Sequence, residues 1–267
     1  MFMIYKQNKL FFNKISVEKL AKKFSTPLYC YSHQKLNENI LNIKKNFKKF
    51  NPLICFAVKS NSNIKILKEI KKFNLGADVV SIGELMKALK AGIKPQKIVF
   101  SGVGKTKTEI EYAIKKGILL INAESKSEIL EIEKIAKSKN KKINIGIRLN
   151  PNTDAKTLSQ ISTGKKENKF GVDEKTFLSL VTHVNKSKNL ILKCLSVHIG
   201  SQILNNQPYL KMLKVVDKII KKSKHRFEYV DLGGGIGIDY MHNHNKFDLS
   251  KYSLNIQKFL KKNNSKI

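Results

Sequence analysis

Cysteine and arginine are scarce in this chain, and long apolar runs are missing. The three cysteines, Cys30, Cys55 and Cys194, are widely spaced and odd in number. That excludes a disulfide framework and a CxxC zinc site, and a reducing cytoplasm is the simplest compartment. No apolar run approaches the roughly 18 residues that span a bilayer. The opening MFMIYKQNKLFFNKIS interrupts its apolar residues too often for the core of a signal peptide. Of 52 basic residues only Arg148 and Arg226 are arginine, so the net charge of +32 is almost wholly lysine. Base readout and bidentate phosphate contacts favour arginine. The lysines are also spread along the chain, and lysine, asparagine and isoleucine are all abundant, as an AT-rich coding sequence would give. The charge therefore reads as background composition, with no specific nucleic-acid partner and no membrane.

What is present is globular. Hydrophobic residues make up 41% and charged residues 27%, neither a disordered tail nor a fibre. Short apolar runs lie at Leu53–Val58, Ala77–Val80, Ile98–Phe100, Ile118–Ile121, Ile143–Leu149, Leu192–Val197 and Tyr229–Leu232. They read as seven buried parallel strands. Helical spacing of apolar residues fills Asn63–Phe73, Gly83–Ala91, Thr106–Lys116, Ser125–Lys137, Glu174–Asn185 and Pro208–Lys222. Repeated strand–helix units imply a parallel sheet covered by helices, either doubly wound or a (β/α)8 barrel. Thr26–Ser32 (TPLYCYS) reads as a further strand before the first unit, and KKNNSKI as the end of a helix. The polar connection Asn150–Lys169 is long for a compact domain and is a candidate functional loop.

Polar residues cluster at the C-terminal ends of the expected strands, where α/β barrels build their sites. They are Lys59, Asp78, Arg148, His198 and Gly233–Gly235. A lysine closing an apolar run is partly desolvated, which favours a nucleophilic amine able to condense with pyridoxal phosphate. Position alone leaves open a lysine that merely ends a strand. The triple glycine in DLGGGIG offers backbone N–H groups as an anion nest, or simply a tight turn. It is not a dinucleotide fingerprint, because Ile238 stands where the last glycine is required. His198, opening HIGSQ, could stack on a flat cofactor, move protons, or cap a strand, and Ser201 could add a hydroxyl to a phosphate site. SGVGKT lacks the first glycine of a phosphate-binding loop, which is Val99 here. His242 and His244 lie in a polar loop without an obvious third metal ligand.

Together, FAVKSNSN (56–63), GADVVSIGEL (76–85), RLNPNTDAKT (148–157), ISTGKKENKFGV (161–172), SVHIGSQ (196–202) and DLGGGIG (231–237) resemble the diaminopimelate decarboxylases of the fold-type III pyridoxal-phosphate family. The resemblance runs in order from TPLYCYS to about Asp239. It implies the alanine racemase-like (β/α)8 barrel and pyridoxal 5'-phosphate as cofactor. Lys59 is by resemblance the Schiff-base lysine, and His198 stacks on the pyridine ring. Ser201 and the Gly233–Gly235 backbone hold the phosphate, Asp78 and Arg148 flank the cofactor, and Glu84 is a carboxylate behind them. The implied activity is decarboxylation of meso-diaminopimelate, a small amino-acid substrate, to L-lysine and CO2, the last step of lysine biosynthesis. One departure is Leu158, where the family usually has histidine.

The family continues well beyond this length, with a Glu-Pro-Gly-Arg motif on the eighth strand and a C-terminal β-domain whose Cys-Glu-Ser motif crosses a dimer interface. None of the five prolines here sits in such a motif. The expectation is therefore residues 1–45 as a segment that would pair with that β-domain, and 46–267 as a barrel with seven of eight strands. The chain is expected to be a fragment with little or no activity alone, belonging to an enzyme that is a homodimer. Alternatives are another decarboxylase or racemase of this fold type, or a barrel that binds the cofactor without catalysis.

Overall fold

The computed structural model describes residues 3–154, 163–164, 169–240 and 247–263. The chain forms two compact units, Met1–Lys48 and Lys49–Ile267. None of the described helices is long and apolar enough to cross a membrane.

The first unit opens with an antiparallel sheet of β1 (Met3–Lys6), β2 (Lys9–Phe12) and β3 (Ile15–Ser16). Two-residue turns join the strands. Gln7 and Asn8 have φ of 47° and 58°, and Asn13 and Lys14 have 47° and 69°. Two successive left-handed residues match the right-handed twist of a hairpin. The interruptions in the opening sequence are thus turns between strands, which the missing Asn-Gly signature concealed. Helices α1 (Val17–Phe24) and α2 (His33–Phe47) follow, with the Ser32 hydroxyl capping α2 by accepting the Lys35 N–H at 3.1 Å. Thr26–Ser32 corrects one expectation, because it forms no strand. A strand needs a partner for its N–H and C=O groups, and this stretch has no ladder neighbour among the described residues; its Leu28, Tyr29 and Tyr31 are exposed.

Among its described residues the second unit holds seven parallel strands: β4 (Cys55–Ala57), β5 (Gly76–Val79), β6 (Ile98–Phe100), β7 (Leu120–Ala123), β8 (Ile143–Leu149), β9 (Leu190–Val197) and β10 (Tyr229–Asp231). All seven expected strands are present. Each pairs with its neighbours in the chain, so the sheet order is β10-β9-β8-β7-β6-β5-β4. A doubly wound sheet reverses its order at a switch point; this one never does, which is barrel topology. The sheet also curls. Asn122 on β7 donates to Asp231 on β10 at 3.0 Å across two intervening strands. In a flat sheet those strands would lie about 14 Å apart.

The helices are α3 (Ile64–Lys72), α4 (Ile82–Lys90), α5 (Lys107–Lys116), α6 (Lys126–Ser138), α7 (Glu174–Lys186), α8 (Gln207–Ser223) and α9 (Leu249–Asn263). Their buried faces carry Leu67, Ile70, Leu85, Ile110, Ile129, Ile132 and Phe177. Three consecutive helices start on one repeated device. In Ser81-Ile-Gly-Glu84, Thr106-Lys-Thr-Glu109 and Ser125-Lys-Ser-Glu128, the hydroxyl accepts the N–H three residues on. The glutamates reach back: Glu84 accepts from Val80, Glu128 from Glu124, and Glu109 from Thr106 and from Ile82 at the start of α4. This hydroxyl–carboxylate exchange satisfies N–H groups that a helix start leaves unpaired and fixes each strand-to-helix turn. Replacing Thr106 with alanine is expected to cost about 1 kcal/mol of stability, measured by urea unfolding.

Candidate active site

The C-terminal ends of the strands carry the polar side chains singled out above. At the end of β9, His198 meets the glycine loop that leaves β10. The Gly234 N–H donates to His198 Nδ1 at 3.3 Å, and the Gly233 N–H donates to Asp231 Oδ1 at 2.9 Å. An accepting Nδ1 carries no proton, so the imidazole is neutral with its proton on Nε2. Burial, followed by the positive charges of Arg148 and Lys59, pushes its pKa down to about 4. The two loops are laced further along. Ile203 N–H donates to the Gly235 carbonyl and Gly237 N–H to the Ile203 carbonyl, both at 2.9 Å. The Gln202 side chain bonds both backbone groups of Ile238.

Two of the three glycines are required by geometry. Gly233 and Gly235 have φ of +67° and +88°. A Cβ on Gly233 would lie 2.6 Å from the Val197 carbonyl oxygen, and one on Gly235 only 1.9 Å from that of Gly200. Around Gly234 the space is open. The expected nest of several free N–H groups is narrower than the sequence suggested. Those of Gly233 and Gly234 are taken by Asp231 and His198, and that of Gly235 is the one of the three without a partner among the described residues. Ser201, just after Gly200, is exposed on the neighbouring loop.

Arg148, on β8, is buried against Glu124 at the end of β7, with Nη1 and Oε1 2.8 Å apart. Its guanidinium lies 4.8 Å from the centre of the Phe170 ring. Glu124 also accepts the N–H groups of Gly102 and Gly171, so its buried charge is met from three sides. Sequence reasoning missed Glu124. The available signal was its place, a carboxylate ending an apolar run as Lys59 and His198 end theirs. Asp78, on β5, has a buried Oδ1 with no hydrogen-bond partner among the described residues. Burial raises its pKa to about 6; a hydrogen bond from Ser101 works against this, Asp231 adds to it, and Lys59 and Arg148 oppose it. Asp231 itself accepts from Asn122 and Ser196, two further interior residues that the sequence did not flag.

Lys59 corrects an expectation. It is exposed, not partly desolvated, because β4 ends at Ala57 and Lys59 sits beyond it in a 3-10 turn, Val58–Ser60. Its charge still acts on Asp78 and His198. Glu84 serves as a helix cap through Val80. Lys105 of SGVGKT is buried, bonding the Gly102 and Asn122 carbonyls and Glu128, so its ammonium is engaged within the fold. Leu158, His242, His244 and most of the 150–169 connection lie outside the described residues.

The fold is an α/β barrel sheet with polar side chains gathered at the C-terminal ends of its strands. The profile of the pyridoxal-dependent decarboxylase family, pyridoxal binding domain, matches residues 33–267, and the chain belongs to that family. It is 48% identical over 226 residues to a diaminopimelate decarboxylase of Helicobacter pylori, covering 84% of this chain and 56% of that protein. A Campylobacter jejuni diaminopimelate decarboxylase is 41% identical over 242 residues, 90% of this chain and 60% of that one. The crystal structure of the Helicobacter pylori enzyme complexed with L-lysine superimposes with a TM-score of 0.87 at 45% identity, over 91% of this chain and 62% of that one. The chain thus spans somewhat more than half the length of the relatives it matches.

The pH dependence of Asp78 has a definite sign. Its folded value, about 6, lies above the ordinary 3.8. Its contribution to stability is therefore full below pH 3.8 and is lost as pH rises through 6. Asp78→Asn removes that loss. Urea unfolding is expected to show the variant gaining on the parent between pH 4 and 7, by about 2 kcal/mol. A difference independent of pH would contradict the assignment.

Proposed function

We propose that this end of the barrel holds pyridoxal 5'-phosphate and serves the decarboxylation of meso-diaminopimelate to L-lysine. One observation carries the reading. Lys59, Asp78, Arg148, His198 and Gly233–Gly235 come from strands spread across the whole sheet, yet they share one end of it, in a chain of the pyridoxal-dependent decarboxylase family. The L-lysine bound in the Helicobacter pylori relative is the product of that reaction.

The groups present fit the cofactor. An exposed primary amine, Lys59, suits covalent attachment to an aldehyde. The Gly235 N–H and the Ser201 hydroxyl suit a phosphate. The neutral imidazole of His198 suits the face of an aromatic ring. Asp78 has an acceptor oxygen without a partner, and Arg148 lends a fixed positive charge. When bound, pyridoxal phosphate supplies the electron sink that lets a substrate α-carboxylate leave as CO2. The residues of the chain hold and orient. Lys59 tethers, and Gly235 and Ser201 hold the phosphate end. His198 stays neutral over the working pH range because its conjugate acid forms only near pH 4. The Glu124–Arg148 pair keeps a charged wall rigid beside Asp78. The same proposal takes in a homodimer for the whole-length enzyme, and residues 1–45 as the segment that pairs with a C-terminal β-domain; the motif resemblance supports both.

The test is cofactor loading of the chain. Incubation with pyridoxal phosphate and borohydride is expected to leave one covalent adduct, located by peptide mass at Lys59 and lost in Lys59→Ala. An adduct spread over surface lysines would contradict the proposal. Gly234→Ala should bind the cofactor nearly as the parent does, since space is open there. Gly235→Ala should lose about tenfold or more in affinity, at least 1.4 kcal/mol.

A further inference from the structure

We propose that Tyr209 is a positioning residue for the cofactor phosphate: its hydroxyl sets the orientation of the Gly234–Gly235 peptide and so aims the Gly235 N–H. This rests on the cofactor reading above. Tyr209 lies in the first turn of α8 and is among the largest fully buried side chains, at 1% exposure. Its Oη donates to the Gly234 carbonyl oxygen at 2.8 Å. The ring is fixed by two aromatic neighbours. Phe247 meets it edge-on with centroids 5.5 Å apart, and Tyr252 of α9 packs at 4.7 Å. Burial, and then Tyr252, push the phenol well above its ordinary pKa, so it remains a donor.

The consequence follows from peptide geometry. The Gly234 C=O and the Gly235 N–H belong to one planar trans unit and point in opposite directions. Holding the carbonyl toward α8 therefore turns the Gly235 N–H away from it. The surrounding groups are already committed. The N–H groups of Gly233 and Gly234 bond Asp231 and His198, and the Gly235 carbonyl accepts from Ile203. A peptide between two glycines can rotate at little steric cost, and around Gly234 the space is open. Among the described residues the Tyr209 hydroxyl is the side-chain donor to the Gly234 carbonyl, and that hydrogen bond selects the orientation of the peptide. The hydroxyl reaches the site through the Gly234 carbonyl, so its effect is confined to the phosphate end.

That confinement gives the test. The full chain and Tyr209→Phe are titrated with pyridoxal 5'-phosphate and, separately, with pyridoxal, which lacks the phosphate. Removing the hydroxyl is expected to weaken pyridoxal phosphate about tenfold while leaving pyridoxal within about twofold. Unchanged affinity for pyridoxal phosphate overturns the inference. So does a parallel loss for both ligands, which marks a merely structural role. A parent chain that binds neither ligand at Lys59 overturns the cofactor reading and this inference with it, a result distinct from either. Should the variant fold poorly, the parent alone decides. Inorganic phosphate is expected to shift the amide resonance of Gly235 and leave that of Gly233 in place; a shift of Gly233 and not Gly235 overturns the inference.

Discussion

The carboxylate of Asp231 holds the architecture together. One oxygen accepts Asn122 from β7 and Ser196 from β9, and the other accepts the Gly233 N–H. The first bond exists only because the sheet curls, bringing strands three places apart within hydrogen-bonding distance. The last sets the direction in which the glycine loop leaves β10. One carboxylate thus couples the curvature of the sheet to the shape of the loop above it. A carboxylate drawn partly out of water is costly unless its lone pairs are met, and here three donors from three segments meet those of the half-buried Asp231.

Burial raises the proton affinity of Asp78 and Asp231 adds to it, while Lys59 and Arg148 oppose it. Burial, and then the same two cations, keep His198 neutral. Arg148 is itself held by Glu124, whose two oxygens also accept Gly102 and Gly171. Burial and the neighbouring charges together move a carboxyl and an imidazole group away from their ordinary values, a pattern typical of binding and catalytic sites. Around this interior the Ser/Thr-x-x-Glu turns give α4, α5 and α6 rigid starts. The strand ends that carry Asp78 and Glu124 accordingly stand on fixed ground.

Much of the fold was legible because it rests on local pattern. Seven apolar runs became seven strands, and six periodic segments became six helices, since parallel strands buried on both faces leave continuous apolar runs. The hairpins of residues 3–16 were not legible. Their turns use Gln-Asn and Asn-Lys, without the glycine that usually marks such turns. Thr26–Ser32 has strand-like composition but no partner, and composition cannot supply one. In the site, the strand-end residues were found by position and motif. Glu124, Asn122 and Tyr209 were missed because each acts through a partner distant in sequence: Arg148, Asp231 and the Gly234 carbonyl.

The sequence by itself determined the parallel strand–helix succession, the glycine loop and the residue types at the strand ends, because periodicity and backbone conformation are written over a few neighbouring positions. Tertiary structure alone decided that the sheet runs in unbroken order and curls, that Lys59 stands exposed beyond its strand, and that two of the three glycine N–H groups are already engaged. Those outcomes depend on which groups meet across strands, and a hydrogen bond from residue 122 to residue 231 has no local signature.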